Sequence, residues 1–577
     1  VIRGVGLVLI VVLCVESFRS SATGGPPDLT EPGVVSAAIF AVGLFCFLWL
    51  FATGTFGFGS FVAGDARAFF PLAVGLVTRL CIVTPGNMEE TAYFPIAGLG
   101  QRNWQMDDHS IVFASLKAAF VSIFGRTDEG FVRVNGVVGA LAIAAMFLFV
   151  RRRFEDGTLA LFASLLMAVS PLLSRYAPTD SHFSLLLFFW FTGLALLGDA
   201  TPRPAQLVSG FICLGLAGAC RAEGPIYFLS ALPFVRWAPL LSSSSAPLTR
   251  AGLWGGAAGG GISLLNAVQQ IRNVWGHHDA GQTGGLRLVP WRFLTEPLVI
   301  LWDGHRGDLP FVLLFVVGVW AAFRDPRRFG FLRWALLVAL VDRAIVGRDR
   351  MARVMADSLE HKLPFFIAME ALMAGGGAAW LIDRLRPTVR RSAVPVLAGL
   401  LAVASPILGY GEMTRVTWFN AEYRLLHDDL PKLHPPRGCV LLWFGTGDME
   451  LRTLAVYLPN APGVVDTRDL NCMFADCGSV VARGQCAYFL ESNSCRRQES
   501  LLTDLFQSGG PFRMHPGSSG AEPCARFMKQ TALEEVASRT AGDDRFAIYR
   551  VLGRREGSIP DSTRDPVGLS RKSAHSD

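Results

Sequence analysis

The chain has 577 residues, 51% of them hydrophobic and only 17% charged, with a mean hydropathy of +0.38. A charged fraction so far below the usual quarter excludes an ordinary water-soluble globular protein. The net charge of +6 is spread over short loops, which excludes a nucleic-acid surface and points to membrane topology.

In chain order, apolar runs recur near 2–16, 34–57, 62–84, 132–150, 158–175, 181–198, 205–220, 223–240, 249–266, 309–324, 330–347, 362–382 and 392–410. A hydrocarbon core of about 30 Å needs roughly 20 such residues per helix, so the expectation is a polytopic α-helical membrane protein of about 11–13 transmembrane helices. The 2–16 run reads as a signal peptide or a short anchor; without a clean small-residue cleavage site, the anchor is preferred. Short basic connectors lie at Arg151-Arg-Arg153, Arg203, Arg324 to Arg328 and Arg384 to Arg391, which places them in the cytoplasm. The opposite loops, including 85–130, 175–181, 220–224, 267–308 and 348–361, then face outward. Segment 110–124 is amphipathic and is expected to lie along the interface.

After about residue 415 the runs shorten and strand-like and helix-like patches alternate, at 439–444, 450–457, 463–466, 486–490, 501–506 and 546–551. This predicts a C-terminal extracytoplasmic α/β domain of about 140 residues. The division is 1–57, extra hydrophobic segments; 58–410, the transmembrane unit; 411–553, the α/β domain; and 554–577, a polar disordered tail. The six tail cysteines, Cys439, Cys472, Cys477, Cys486, Cys495 and Cys524, are even in number and read as disulfides in an oxidising compartment. Their gaps fit a zinc site poorly.

Polar groups gather on the proposed outer face. Glu89 and Glu90 stand in Pro85-Gly-Asn-Met-Glu-Glu-Thr-Ala-Tyr93 just after an apolar run, and ionised carboxylates avoid hydrocarbon, so they belong where water meets the bilayer. Arg102 to His109 follow, with Asp107 and Asp108; then Ser174, Arg175 and Tyr176, with Asp180 and His182; then Arg221 and Glu223, with His361 and Lys362 further on. Each group also has a structural reading. Asp107 and Asp108 can cap the next helix, Arg175 and Tyr176 can anchor at the interface, and Arg221 can pair with Glu223. His277-His278-Asp279 reads as a loop, and the glycine-rich 255–261 stretch as close helix packing. Glu89, Glu90, Asp107 and Asp108 have the oxygen chemistry of a divalent-cation site, although no ligand signature demands a metal and no other cofactor is implied.

The order Glu89-Glu90-Thr-Ala-Tyr93, Trp104, Asp108-His109-Ser110-Ile111 and Phe124-Gly125, followed by Arg133, Arg151-Arg-Arg-Phe154, Ser170-Pro171 and Arg175-Tyr176, resembles GT-C superfamily membrane glycosyltransferases of the protein-mannosyltransferase and aminoarabinose-transferase-like branch. The resemblance spans about 62–410 and is strongest over 85–200. Glutamate replaces the family's first aspartate, Ser110-Ile111 replaces Pro-Pro, and the segments before residue 58 lie outside the minimal core.

The resemblance implies transfer of a sugar from a polyprenyl-phosphate donor to a protein, lipid or glycan acceptor at the outer face, with inversion; composition suggests a bacterial source, and so an inner membrane with active site and tail periplasmic. Arginine-rich, lysine-poor composition agrees with such a source. Glu89 falls at the family's catalytic-acid position and is the expected base; Glu90 and Asp108 support it. Tyr93, Arg102, His109, Arg175, Tyr176, Arg221 and Lys362 are the expected substrate-binding residues, the cations neutralising the leaving phosphate. The rival classes are a lipid-linked saccharide transporter, which would show internal repeats and midplane charges, and a non-catalytic scaffold.

Overall fold

The computed structural model describes residues 66–83, 112, 128–178, 182–221, 224–241, 246–277, 308–346, 364–414, 421, 424–436, 438–444, 468–472, 475–491, 495, 521–541 and 544–555. The longer helices of the transmembrane unit within this set, with the short α4, are α1 (Phe69–Val77), α2 (Asp128–Phe154), α3 (Gly157–Val169), α4 (Pro171–Tyr176), α5 (Phe183–Leu197), α6 (Pro204–Gly218), α7 (Gly224–Ala231), α8 (Ala246–His277), α9 (Leu309–Arg324), α10 (Leu332–Val346), α11 (Pro364–Asp383) and α12 (Pro387–Leu408). Three described helices, Arg133–Phe154, Pro364–Asp383 and Pro387–Leu408, are long and apolar enough to cross a membrane.

Short connections force successive helices to run antiparallel. Between α2 and α3 only Glu155 and Asp156 intervene; Glu155 takes a positive φ of 58°, and the Asp156 carboxylate accepts the Thr158 and Leu159 N–H groups as an N-cap. Glycines set the closest approaches. A Cβ on Gly377 of α11 would strike the Leu314 carbonyl of α9, and one on Gly259 of α8 the Phe211 carbonyl of α6, so the glycine-rich stretch serves close packing as expected.

Two segments depart from the sequence reading. The 158–175 run is broken into α3 and α4, because Pro171 has no N–H to continue the helix and Ser170 turns to φ −56°, ψ 119°. The 223–240 run holds, among its described residues, the eight-residue α7, a 3₁₀ turn at Leu232–Phe234 and the start of a four-residue helix, Ala238–Leu241, each too short to cross. His277, read as loop, is the last residue of helix α8.

The C-terminal part is a five-stranded sheet ordered β2-β1-β3-β5-β4, where β1 is Val440–Trp443, β2 Arg468–Asn471, β3 Ala487–Glu491, β4 Thr531–Ala541 and β5 Asp544–Arg554. β1 lies parallel to β2 and β3, and β5 antiparallel to β3 and β4. Alternation divides the faces. Leu441, Trp443, Tyr488, Leu490, Phe546 and Ile548 pack with Leu425 and Leu430, while Val440, Leu442 and Phe489 pack with Cys477, Val480 and Phe527 of α13 (Cys477–Ala482) and α14 (Ala521–Gln530). All six tail cysteines pair, as Cys439–Cys486, Cys472–Cys477 and Cys495–Cys524. The α/β character and the disulfides agree with expectation. β4 was not expected, because Thr531 to Ala541 is rich in helix formers; its pairing along the whole of β5 overrides that propensity. The expected patches at 450–457, 463–466 and 501–506 lie outside the described residues.

Candidate active site

Three of the largest fully buried side chains are arginines, Arg79, Arg175 and Arg221, at 1%, 0% and 2% exposure. Chain connectivity puts all three at one end of the helix bundle, and such placement of ionisable groups in an apolar bundle marks a functional region.

The break between α3 and α4 builds the first part. Proline at 171 removes the N–H that would serve the Met167 carbonyl. Arg79, on the wide turn of helix Thr78–Ile82 after α1, replaces it: its guanidinium donates to Met167 O at 3.2 Å and to Ala168 O at 3.0 Å. The Thr78 and Ser174 hydroxyls also donate to Ala168 O, at 3.1 and 3.2 Å. This cross-link fixes the start of α4 and so the position of Arg175, whose guanidinium lies 5.2 Å from the Tyr176 ring centre and 3.5 Å from its hydroxyl.

The second part is built on His182, which precedes α5. Arg221, just past the C-terminus of α6, donates from Nη1 to His182 Nε2 at 2.7 Å and covers the Phe183 ring at 5.2 Å. Asn266 of α8 donates to the Arg221 carbonyl at 2.7 Å and so ties Arg221 to α8. Further along the same end, Asp308 caps α9 by accepting from Phe311 N–H, and Ser405 of α12 donates to the same oxygen at 3.1 Å. Glu370, two turns into α11, is 1% exposed.

Thus the structure buries Arg175, Tyr176 and Arg221 at the end of the bundle away from the arginine-rich connectors, and gives Arg221 a histidine neighbour. Glu223, the partner considered for Arg221, lies outside the described residues, as do Glu89, Glu90, Tyr93, Arg102, Asp107, Asp108, His109, Asp180 and Lys362. Sequence reasoning missed Arg79, Asp308, Glu370 and Asn266. The signal for Arg79 was present: an arginine inside an apolar run needs acceptors. Among the described residues no three His, Cys, Asp or Glu side chains come together as a metal site.

The opposite end is ionic. Arg328 bridges Asp156 and Asp383 at 2.5 Å each, Arg390 reaches Asp383 at 2.8 Å, and Arg236 reaches Glu155 at 3.0 Å. Burial raises the Asp156 carboxyl, but the Arg328 hydrogen bond and charge with the helix N–H groups outweigh it and hold the group below its ordinary value.

Residues 108–254 match the family described as Dolichyl-phosphate-mannose-protein mannosyltransferase. The match covers Arg175, Tyr176, His182 and Arg221 and bears out the resemblance to GT-C membrane glycosyltransferases; the chain is an integral membrane protein. No curated protein matches the chain. Solved structures of similar shape include ArnT from Cupriavidus metallidurans in the apo state (15% identity, TM-score 0.47, covering 83% of this chain and 96% of that one). ArnT from the same organism bound to undecaprenyl phosphate gives 16% identity and TM-score 0.46, covering 85% and 97%. The archaeal oligosaccharyltransferase AglB from Archaeoglobus fulgidus, in complex with an inhibitory peptide and a dolichol-phosphate, gives 12% and 0.38, covering 96% and 75%.

Proposed function

We propose that the chain is a glycosyltransferase that moves a sugar from a polyprenyl-phosphate donor to an acceptor hydroxyl at the end of the bundle that carries Arg175 and Arg221. The observation that carries this reading is the family match over residues 108–254, which contains both arginines and whose family name specifies a polyprenyl-phosphate-linked sugar. A positive-inside reading of the arginine-rich connectors then puts them in the cytoplasm and the reaction on the periplasmic side of a bacterial inner membrane.

In the proposed step the acceptor oxygen attacks the anomeric carbon as the bond from that carbon to the phosphate oxygen breaks. The electron pair leaves with the polyprenyl phosphate, and the acceptor proton passes to the Glu89 carboxylate. Attack opposite the leaving group inverts the anomeric configuration. Arg175 and Arg221, with Arg102 and Lys362, neutralise the departing phosphate; guanidinium forks match its oxygens in geometry and charge. Tyr93, His109 and Tyr176 line the substrate, and Glu90 and Asp108 orient the acceptor and Glu89. The burial of Arg175 and Arg221 strengthens their interaction with the phosphate charge.

The test is transfer from a panel of radiolabelled polyprenyl-phosphate sugars by the purified chain, its Glu89→Gln variant and its Glu90→Gln variant. The expected result is an anomerically inverted product and at least a hundredfold loss in Glu89→Gln only, as for removal of a general base. Equal activity in Glu89→Gln would move the base to Glu90 or Asp108, and a retained configuration would overturn the single displacement.

A further inference from the structure

Helix α4 has six residues, Pro171–Tyr176, and carries Arg175 as its fifth. A helix that short does not hold itself together in isolation, so its orientation comes from what grips it. Arg79 grips its start. Nη1 of that guanidinium donates to Ala168 O at 3.0 Å and to Gly75 O of α1 at 3.4 Å, and Nη2 donates to Met167 O at 3.2 Å. The Met167 and Ala168 carbonyls belong to the last turn of α3, where the partial negative charge of the helix end favours a cation. Ser174 of α4 donates to the same Ala168 oxygen at 3.2 Å. The far end of α4 closes on the same guanidinium. Ala177 N–H donates to Leu173 O at 3.2 Å, and Gly139 of α2 gives Ala177 room: a Cβ at 139 would stand 2.7 Å from the Ala177 Cβ and 3.4 Å from Arg79 Nε. One buried side chain thus meets both ends of the helix that carries Arg175.

Hydroxyls alone could seal the Ala168 carbonyl, which already accepts from Thr78 and Ser174. The arginine adds a donor for Met167 O and a rigid fork that spans α1 and α3. We propose that Arg79 is a positioning residue for phosphate binding: by holding the open carbonyls at the end of α3 it fixes α4 in the orientation that presents Arg175 to the leaving phosphate. This rests on the reading that Arg175 meets that phosphate. Placement matters because a guanidinium meets phosphate oxygens in a fixed geometry, and a misplacement of about 1 Å can cost about a hundredfold in rate. Arg79 itself touches no substrate in this account and acts through Arg175.

The test is a double-mutant cycle on the affinity of the full chain, in neutral detergent, for undecaprenyl phosphate, beside hydrogen exchange of the α4 amides. Arg79→Leu is expected to weaken binding about tenfold in the otherwise intact chain and less than about twofold in the Arg175→Gln background, because its effect runs through Arg175. Exchange over 172–177 rises in Arg79→Leu. Arg79→Lys keeps the charge but not the fork, and it runs the same cycle at about threefold should the leucine variant fail to fold. Equal weakening in both backgrounds would show that Arg79 acts without Arg175 and overturns the proposal, as does unchanged affinity. Unchanged exchange at α4 overturns the clamp itself, and this readout needs no lipid. An intact chain that binds no undecaprenyl phosphate overturns the reading on which the proposal rests, and the role of Arg79 in phosphate binding falls with it.

Discussion

Arg221 and His182 meet at 2.7 Å, Nη1 to Nε2, across 39 residues of sequence. A guanidinium is protonated at every accessible pH and only donates, so the imidazole nitrogen facing it must accept, which requires a ring carrying its proton on Nδ1. A doubly protonated ring would set donor against donor.

Replacing the acceptor tests that relationship. His182→Gln keeps an oxygen acceptor and is expected to hold sugar transfer within about threefold, while His182→Lys presents a second cation and lowers kcat/KM at least tenfold, the scale of one hydrogen bond to a charged group. Equal rates in the two variants would show that Arg221 does not depend on this contact.

The same reasoning applies to Arg79, whose guanidinium serves the Met167 carbonyl that Pro171 leaves without a donor. Arg79→Leu is expected to lower stability by about 1–3 kcal/mol, the effect of an unsatisfied buried carbonyl. Pro171→Ala restores an N–H at that position, so the Arg79→Leu penalty shrinks in its background. Thermal midpoints of the four proteins of this double-mutant cycle measure the coupling; strict additivity would refute the shared carbonyl.

Closed-loop length ranks the disulfides. Cys439–Cys486 spans 47 residues, Cys495–Cys524 spans 29 and Cys472–Cys477 only 5. In the chain-entropy account their removal costs about 4, 3.6 and 2 kcal/mol respectively. Paired Cys→Ser variants followed by urea-dependent proteolysis of the tail in the full chain should reproduce this order, and a larger loss from the shortest loop would contradict it.

Acid should loosen one specific contact. Arg539 of β4 grips Asp429 through two hydrogen bonds, at 2.6 and 3.0 Å. Burial raises the Asp429 carboxyl, but the Arg539 hydrogen bonds and charge, helped by Lys432, hold it below its ordinary value. A depressed folded-state value means that the contribution is complete above the ordinary carboxylate range and is lost as pH falls through the folded value. Hydrogen exchange over 424–433 is therefore expected to rise below about pH 4. The Asp429→Asn variant should lose that acid-dependent part; an unchanged acid response would assign it to other groups.

The helices were legible because a bilayer demands a fixed apolar length; the predicted 309–324 run and the helix Leu309–Arg324 coincide. The tail cysteines were legible as disulfides from their even number, but their partners required the sheet, in which Cys439 and Cys486 precede neighbouring parallel strands. Arg175 and Arg221 could be nominated as cations at loop positions. Their environment could not, since His182, Asn266 and the Arg79 clamp arrive from helices separated by tens of residues. Local composition misleads at β4, where helix formers make a strand because β5 supplies the ladder. Ser170-Pro171 was visible as a motif, yet its consequence, a carbonyl claimed by Arg79 from 88 residues away, is a tertiary fact.

The central claim is tested most directly by single-turnover release of radiolabelled sugar from polyprenyl phosphate by the intact chain and by Arg221→Gln. The account predicts release by the intact chain from at least one donor in the panel, slowed at least tenfold in Arg221→Gln, the scale of one charge-assisted contact to the departing phosphate. Binding of the donors without release of sugar from any of them, or equal release by Arg221→Gln, would contradict it.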